Sequence, residues 1–156
     1  MHTIEVDVES IGESEAALLR RSGVASVETG PQTVGHRALE ICRRAFDHDR
    51  FVAGVRALRS EGISVECDLI IGLPGDAPSD VVYGLEFAVS VDPGTVQIST
   101  LHVLPGTELW QNAAEVGVLY DPVPPHEVIA TTQMDFQDLR RLEALGTAAA
   151  AIYRAR

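Results

Sequence analysis

The sequence predicts an α/β protein: a partial (half) β/α barrel with four parallel strands, plus a C-terminal helix. Three observations predict it. Strand-like and helix-like stretches alternate four times, the pattern of parallel strands joined by right-handed crossover helices. The strand-like stretches alternate apolar with acidic or amide residues, whereas a parallel sheet covered on both faces reads as apolar throughout. Turns rich in glycine and proline follow the strands: Gly30-Pro31-Gln32-Thr33, Gly72-Leu73-Pro74-Gly75 and Leu104-Pro105-Gly106-Thr107.

The elements follow in order. "HTIEVDVE" sets Ile4, Val6 and Val8 against Glu5, Asp7 and Glu9, a period of two and hence a strand. Glu13 to Ser22 carries Ala16, Leu18 and Leu19 on one side and stops at Gly23, as a helix does. "ASVETGPQT" is a second strand, followed by helical segments at His36 to Arg44 and Asp47 to Glu61. "ISVECDLIIG" is the third strand, Ser79 to Val91 a helix, "TVQISTLHVLPG" the fourth strand and Leu109 to Val116 a helix. Residues 1–122 form the expected partial barrel. Residues 123–156 are read as a proline-rich connector and a terminal helix packed on it, with Leu139, Leu142, Leu145, Ala149 and Ile152 on one side.

The polar strand faces need an explanation, because burying several unpaired carboxylates is costly. Glu5, Glu28, Glu66, Asp68, Gln97 and Ser99 either line the lumen of a barrel or form the solvated face of an antiparallel sheet. The long helical connections favour the lumen. Four strands do not close a barrel, so a segment is missing or the open edges pair with another chain.

Composition narrows the function. The net charge is −11, and all 12 basic residues are arginine. So acidic a chain repels phosphate backbones, which argues against nucleic acid as main partner. Lysine-free, alanine- and arginine-rich usage is what a GC-rich bacterial genome would produce. No apolar run approaches the roughly 20 residues of a membrane span, and the acidic start is no targeting peptide; a cytoplasmic protein is expected. Cys42 and Cys67 stand too far apart for a metal motif and are read as reduced, mostly buried thiols. The five histidines have no ligand spacing.

In parallel α/β proteins ligands collect at the carboxyl ends of the strands. Glycines there would let main chain approach a flat ligand, and Asp76 is placed to cap the next helix. "GLPGDAP" lacks the Gly-Lys-Ser/Thr ending of a phosphate loop, so a largely neutral group such as a nucleobase suits it better.

"VETGPQT", then "RRAFDHDRFVAGVRALRSEGISVECDLIIGLPGD", "LHVLPGTELW" and "LYDPVPPHEV" together resemble the later part of a radical S-adenosylmethionine (SAM) barrel. The resemblance is strongest to the subgroup with an upstream cobalamin-binding domain, which includes anaerobic magnesium-protoporphyrin ester cyclase-like proteins. It implies SAM as a cofactor. Gly30, Gln32 and Thr33 match a stretch near the ribose and methionine parts of SAM, and Arg44 matches an arginine that meets its carboxylate. Ile70, Gly72, Leu73, Pro74 and Gly75 would lie beside the adenine, and Leu104 would offer backbone to its edge. Glu5, Glu28 and Asp68 would point into the lumen, toward ribose, substrate or structural partners.

The departures bear equally on function. The sequence has no Cys-x-x-x-Cys-x-x-Cys loop and no Gly-Gly-Glu-type stretch, and the match begins at the family's third strand. A 4Fe–4S cluster needs cysteine ligands. The expectation is therefore a C-terminal portion of a radical SAM enzyme. It would supply the adenosyl side of the SAM site and part of the cavity for a small-molecule substrate, and be inactive alone. The cluster, and cobalamin if used, would be held by an N-terminal half from the same gene or a separate chain. The alternative is a non-catalytic remnant that self-associates or binds a partner through its open sheet edges. An α/β enzyme with an unrelated small-molecule site is the third reading.

Overall fold

The structure is a computed structural model and describes residues 2–155. In chain order the elements are β1 (His2–Glu5), a 3-10 turn (Val8–Ser10), α1 (Glu13–Arg21), β2 (Val24–Gln32), α2 (His36–Ile41), α3 (His48–Ser60), β3 (Ser64–Ile71), α4 (Pro78–Ser90), β4 (Thr95–Thr100), α5 (Glu108–Asn112), β5 (Leu119–Tyr120), β6 (Val128–Ala130) and α6 (Phe136–Arg154). The strands β1-β2-β3-β4 form one sheet in that order, and every pairing is parallel. Of the two arrangements the polar faces allowed, the parallel one holds.

One sheet face is packed and the other open. Val27, Val65, Cys67, Leu69 and Val96 are buried against Phe51, Val55 and Leu58 of α3 and Leu85, Phe87 and Ala88 of α4. At roughly 1.5–3 kcal/mol per large apolar side chain, this layer is what holds the half-barrel together. On the opposite face Glu28, Gln97 and Ser99 are exposed, and Glu66, Asp68 and Ile70 are half-buried. The register aligns Glu5 with Glu28 and Glu28 with Glu66, so three acids stand in one row across three strands.

A second core sits at the exit end of β4. Ile71, Val103, Val128, Met134, Leu139 and Leu142 pack together there. The chain after β4 continues as an edge: the Val103 N–H donates to the His126 carbonyl at 2.9 Å and the Val128 N–H to the Leu101 carbonyl at 2.9 Å. The helix α6 lies across β4, where a Cβ on Gly146 would come 2.3 Å from Ile98 Cγ2. Among the described residues no helix is long and apolar enough to cross a membrane.

Several details differ from what the sequence predicts. The first strand ends at Glu5, because Asp7 accepts the Glu9 N–H at 3.1 Å and its carbonyl takes the Ser10 hydroxyl at 2.6 Å, turning the chain into the 3-10 turn. The fourth strand ends at Thr100, and α5 is only Glu108–Asn112. The proline-rich stretch joins an antiparallel pair, β5 before it and β6 after it. Asp76 is not the cap of α4: Ala77 is, and the Asp80 carboxylate accepts its N–H at 2.8 Å.

Candidate functional site

Two of the strand-exit turns are the same turn. In Leu73-Pro74-Gly75-Asp76 the Asp76 N–H donates to the Leu73 carbonyl at 3.2 Å, and in Leu104-Pro105-Gly106-Thr107 the Thr107 N–H donates to the Leu104 carbonyl at 3.2 Å. Proline stands second and glycine third, with φ of 96° at Gly75 and 87° at Gly106. This is the type II pattern, in which proline presets the second position and only glycine takes the third without strain. The glycine preceding the first of these turns, Gly72, also has a positive φ of 90°. At two of these glycines the missing side chain makes room for protein: a Cβ on Gly72 would meet Val128 Cγ1 at 3.3 Å, and one on Gly75 would meet Ile41 Cδ1 at 2.9 Å, while one on Gly106 would meet nothing within 4 Å.

The exit of β2 is built differently. Between Thr29 and Gln32 the pairing with β3 slips by one residue, a bulge that re-aims the strand end. Gln32 closes it with φ of 63°. Gly30 presses so tightly on β3 that a Cβ would lie 2.1 Å from the Asp68 carbonyl oxygen.

Beside this bulge opens a cleft of about 580 Å³, lined by Glu5, Asp7, Glu9, Gln32, Arg44 and Phe46 among others. Asp7 and Glu9 are already engaged, Glu9 by accepting the Asp47 N–H at 3.1 Å. The Arg44 side chain is exposed and, among the described residues, forms no salt bridge. An uncompensated guanidinium at a strand exit suits a carboxylate or another planar anion.

The expected site residues fall into three groups. Gln32 and Arg44 meet in the cleft, with Gly30 and Glu5 beside them. Asp68 and Ile70 stand on the open face of β3, aligned with Gln97 and Ser99 of β4. Thr33, Gly72 and Leu104 lie elsewhere. Thr33 is buried, Gly72 sits against β6 and α6, and the Leu104 side chain is 58% exposed while its carbonyl takes the Thr107 hydroxyl at 2.7 Å.

Two acids carry perturbed chemistry. Asp68 is pushed up to about 7, first by burial, then by the neighbouring carboxylates of Glu28 and Glu66; its Oδ1 is buried without a hydrogen-bond partner among the described residues. Asp76 is pushed up to about 6 by burial, against a hydrogen bond from Thr33 that lowers it, and with Asp80 raising it further. The Asp76 interaction was not foreseen from the sequence, because its partner lies 43 residues away and nothing local marks the pair.

The cysteines are poor metal ligands as they stand. Burial pushes the Cys67 thiol up to about 12. Cys42, at the end of α2, is raised by burial and by Asp76, against a lowering by Arg44. Thiolates are what bind iron–sulfur clusters, so these two protonated thiols do not fit one. Among the described residues no group of three or more His, Cys, Asp or Glu side chains is arranged to hold a metal ion.

Comparison with known proteins identifies the lineage. The tRNA uridine(34) acetyltransferase of Methanocaldococcus jannaschii is 31% identical over 111 residues, which is 69% of this chain and 20% of that protein. The structure of coproporphyrinogen III oxidase (HemN) from Escherichia coli, a radical SAM enzyme, superposes with a TM-score of 0.70 at 22% identity, over 94% of this chain and 32% of that one. The radical SAM methyltransferase TsrM from Kitasatospora setae, solved with cobalamin and a 4Fe–4S cluster, gives 0.64 at 20% identity, over 90% of this chain and 28% of that one. The chain thus spans about a fifth to a third of the proteins it matches. The family model for the radical SAM superfamily matches residues 1–88, and the chain belongs to that superfamily.

Proposed function

We propose that this chain supplies the adenosyl side of a SAM site and one wall of a substrate cavity in a radical SAM enzyme. The observation that carries the reading is the cleft at the exits of β1 and β2, where Glu5 of β1, Gln32 of β2 and Arg44 of the α2–α3 loop line one space. Gln32 offers an amide for ribose or methionine, and Arg44 a guanidinium for the methionine carboxylate. The half-open acidic face of β1 to β3 forms the substrate wall. When bound, the cluster supplies the electron that SAM cleavage requires; the thiolates that hold it come from a segment outside these 156 residues, and this chain alone is inactive. Cobalamin, where used, is held by such a segment as well.

The reading is tested by calorimetric titration of the chain with SAM and with S-adenosylhomocysteine. Binding is expected, and Arg44→Ala should weaken it by about tenfold, the worth of one charge-assisted contact. Adding a cluster-bearing N-terminal segment and a reductant should then release 5′-deoxyadenosine. No binding and no 5′-deoxyadenosine would overturn it.

The exposed edge of β1 favours a second reading, an assembly module. His2, Thr3 and Glu5 are exposed, and an unpaired edge is a template for another strand. Sedimentation showing a monomer at all concentrations would remove that reading.

A further inference from the structure

The two Leu-Pro-Gly-x turns differ in the use of their fourth residue. Thr107 does what the position invites, and its hydroxyl accepts the Trp110 N–H at 3.2 Å to cap α5. Asp76 leaves the capping of α4 to Asp80. Its side chain points inward, is 1% exposed, and accepts the Thr33 hydroxyl at 2.8 Å across the gap between two strand exits. The Thr33 oxygen accepts in turn the Gly35 N–H at 2.9 Å, which commits the hydroxyl proton to Asp76. The surroundings are built around this carboxylate: a Cβ on Gly35 would stand 2.2 Å from Asp76 Oδ1. A turn alone does not require a buried acid, as the Thr107 turn demonstrates, and burying one whose Oδ2 has no hydrogen-bond partner among the described residues is unfavourable.

We propose that Asp76 is a positioning residue for the nucleoside cleft: through Thr33 it fastens the exit of β2 to the exit of β3 and so holds Gln32 facing the cleft. Gln32 needs such a hold. Its φ of 63° is disfavoured for a residue with a side chain, and it immediately precedes Thr33. The proposal rests on the SAM reading of the cleft.

The test uses Thr33→Val, which keeps shape and removes the hydroxyl, Thr33→Ser, which restores it, and Asp76→Asn. Tyr153→Phe, at the far end of α6, is the control for lost stability alone. Two quantities are read on the whole chain: affinity for S-adenosylhomocysteine, and the amide resonances of Gln32 and Gly35. Thr33→Val should weaken binding roughly tenfold and shift both sets of resonances, with Thr33→Ser within about twofold of the parent. Asp76→Asn should fall between them. Unchanged affinity and unmoved Gln32 resonances in Thr33→Val would overturn the proposal, as would an equal loss of affinity in Tyr153→Phe. If the parent chain binds no S-adenosylhomocysteine, the SAM reading fails separately. The Gln32 resonances then decide the positioning role alone: a shift in Thr33→Val reversed by Thr33→Ser upholds it, and no shift removes it.

Discussion

The hydroxyl of Tyr153, near the end of α6, donates to Asp92 Oδ1 at 2.9 Å, and the Pro93 carbonyl lies beside it. Asp92 sits in the turn between α4 and β4 with φ of 51°, and Arg59 of α3 reaches its other oxygen at 3.6 Å. The last helix is thereby fastened to the turn that launches β4. Tyr153→Phe should cost about 1 kcal/mol, the net worth of one hydrogen bond, read as a lower urea midpoint with an unchanged slope. A parent-like midpoint would mean that apolar packing of the ring alone anchors α6.

Gly30 should tolerate no side chain. A Cβ would meet the Asp68 carbonyl oxygen at 2.1 Å and its amide nitrogen at 2.7 Å, and neither is the movable end of a flexible group. Gly30→Ala should destabilise by about 3 kcal/mol or more through forced separation of β2 and β3. A thermal midpoint within a degree or two of the parent would contradict the bulge geometry.

Asp68 and Asp76 each add a pH-dependent contribution to stability. Both carboxyls lie above their ordinary 3.8 in the fold, at about 7 and about 6. Between pH ~4 and ~7 the folded state therefore holds more protons than the unfolded chain, and these groups make stability fall as pH rises through that window. Asp68→Asn should stabilise the chain at about pH 7.5 by roughly 1 kcal/mol, allowing for solvent screening on the half-open face. The gain should fade toward about pH 5. Denaturant melts of parent and variant at both pH values check this; a gain that grows on acidification would contradict the sign.

The thiols should be unequal. Cys67 is fully buried and Cys42 half-buried, and reactivity follows thiolate fraction and access. A disulfide reagent at mildly alkaline pH should modify Cys42 slowly and Cys67 not at all until guanidinium is added. Rapid reaction of both in the native state would mean that β3 is not packed as described.

The strands with long-range consequences were the legible ones. Val65, Cys67, Leu69 and Ile71 alternate with Glu66, Asp68 and Ile70, and one face was bound to be dry because period-two burial leaves no other choice. The same rule misled at Val8. It is 1% exposed, as a strand residue would be, yet it belongs to a 3-10 turn; burial there comes from α3 packing, where a Cβ on Gly54 would stand 2.0 Å from the Val8 carbonyl oxygen. β5 and β6 were invisible because two or three residues carry no period, and prolines surround them. In the site, Gln32 and Arg44 could be named from the motif, while the Thr33–Asp76 bond is a matter of distance in space that no spacing in sequence encodes.

The segment from His126 to Val128 has a consequence for assembly. It pairs with Leu101 and Val103 on the outer side of the chain just beyond β4. The backbone at Leu101 and Val103 is thus already engaged within the chain, so that stretch is closed to any added strand.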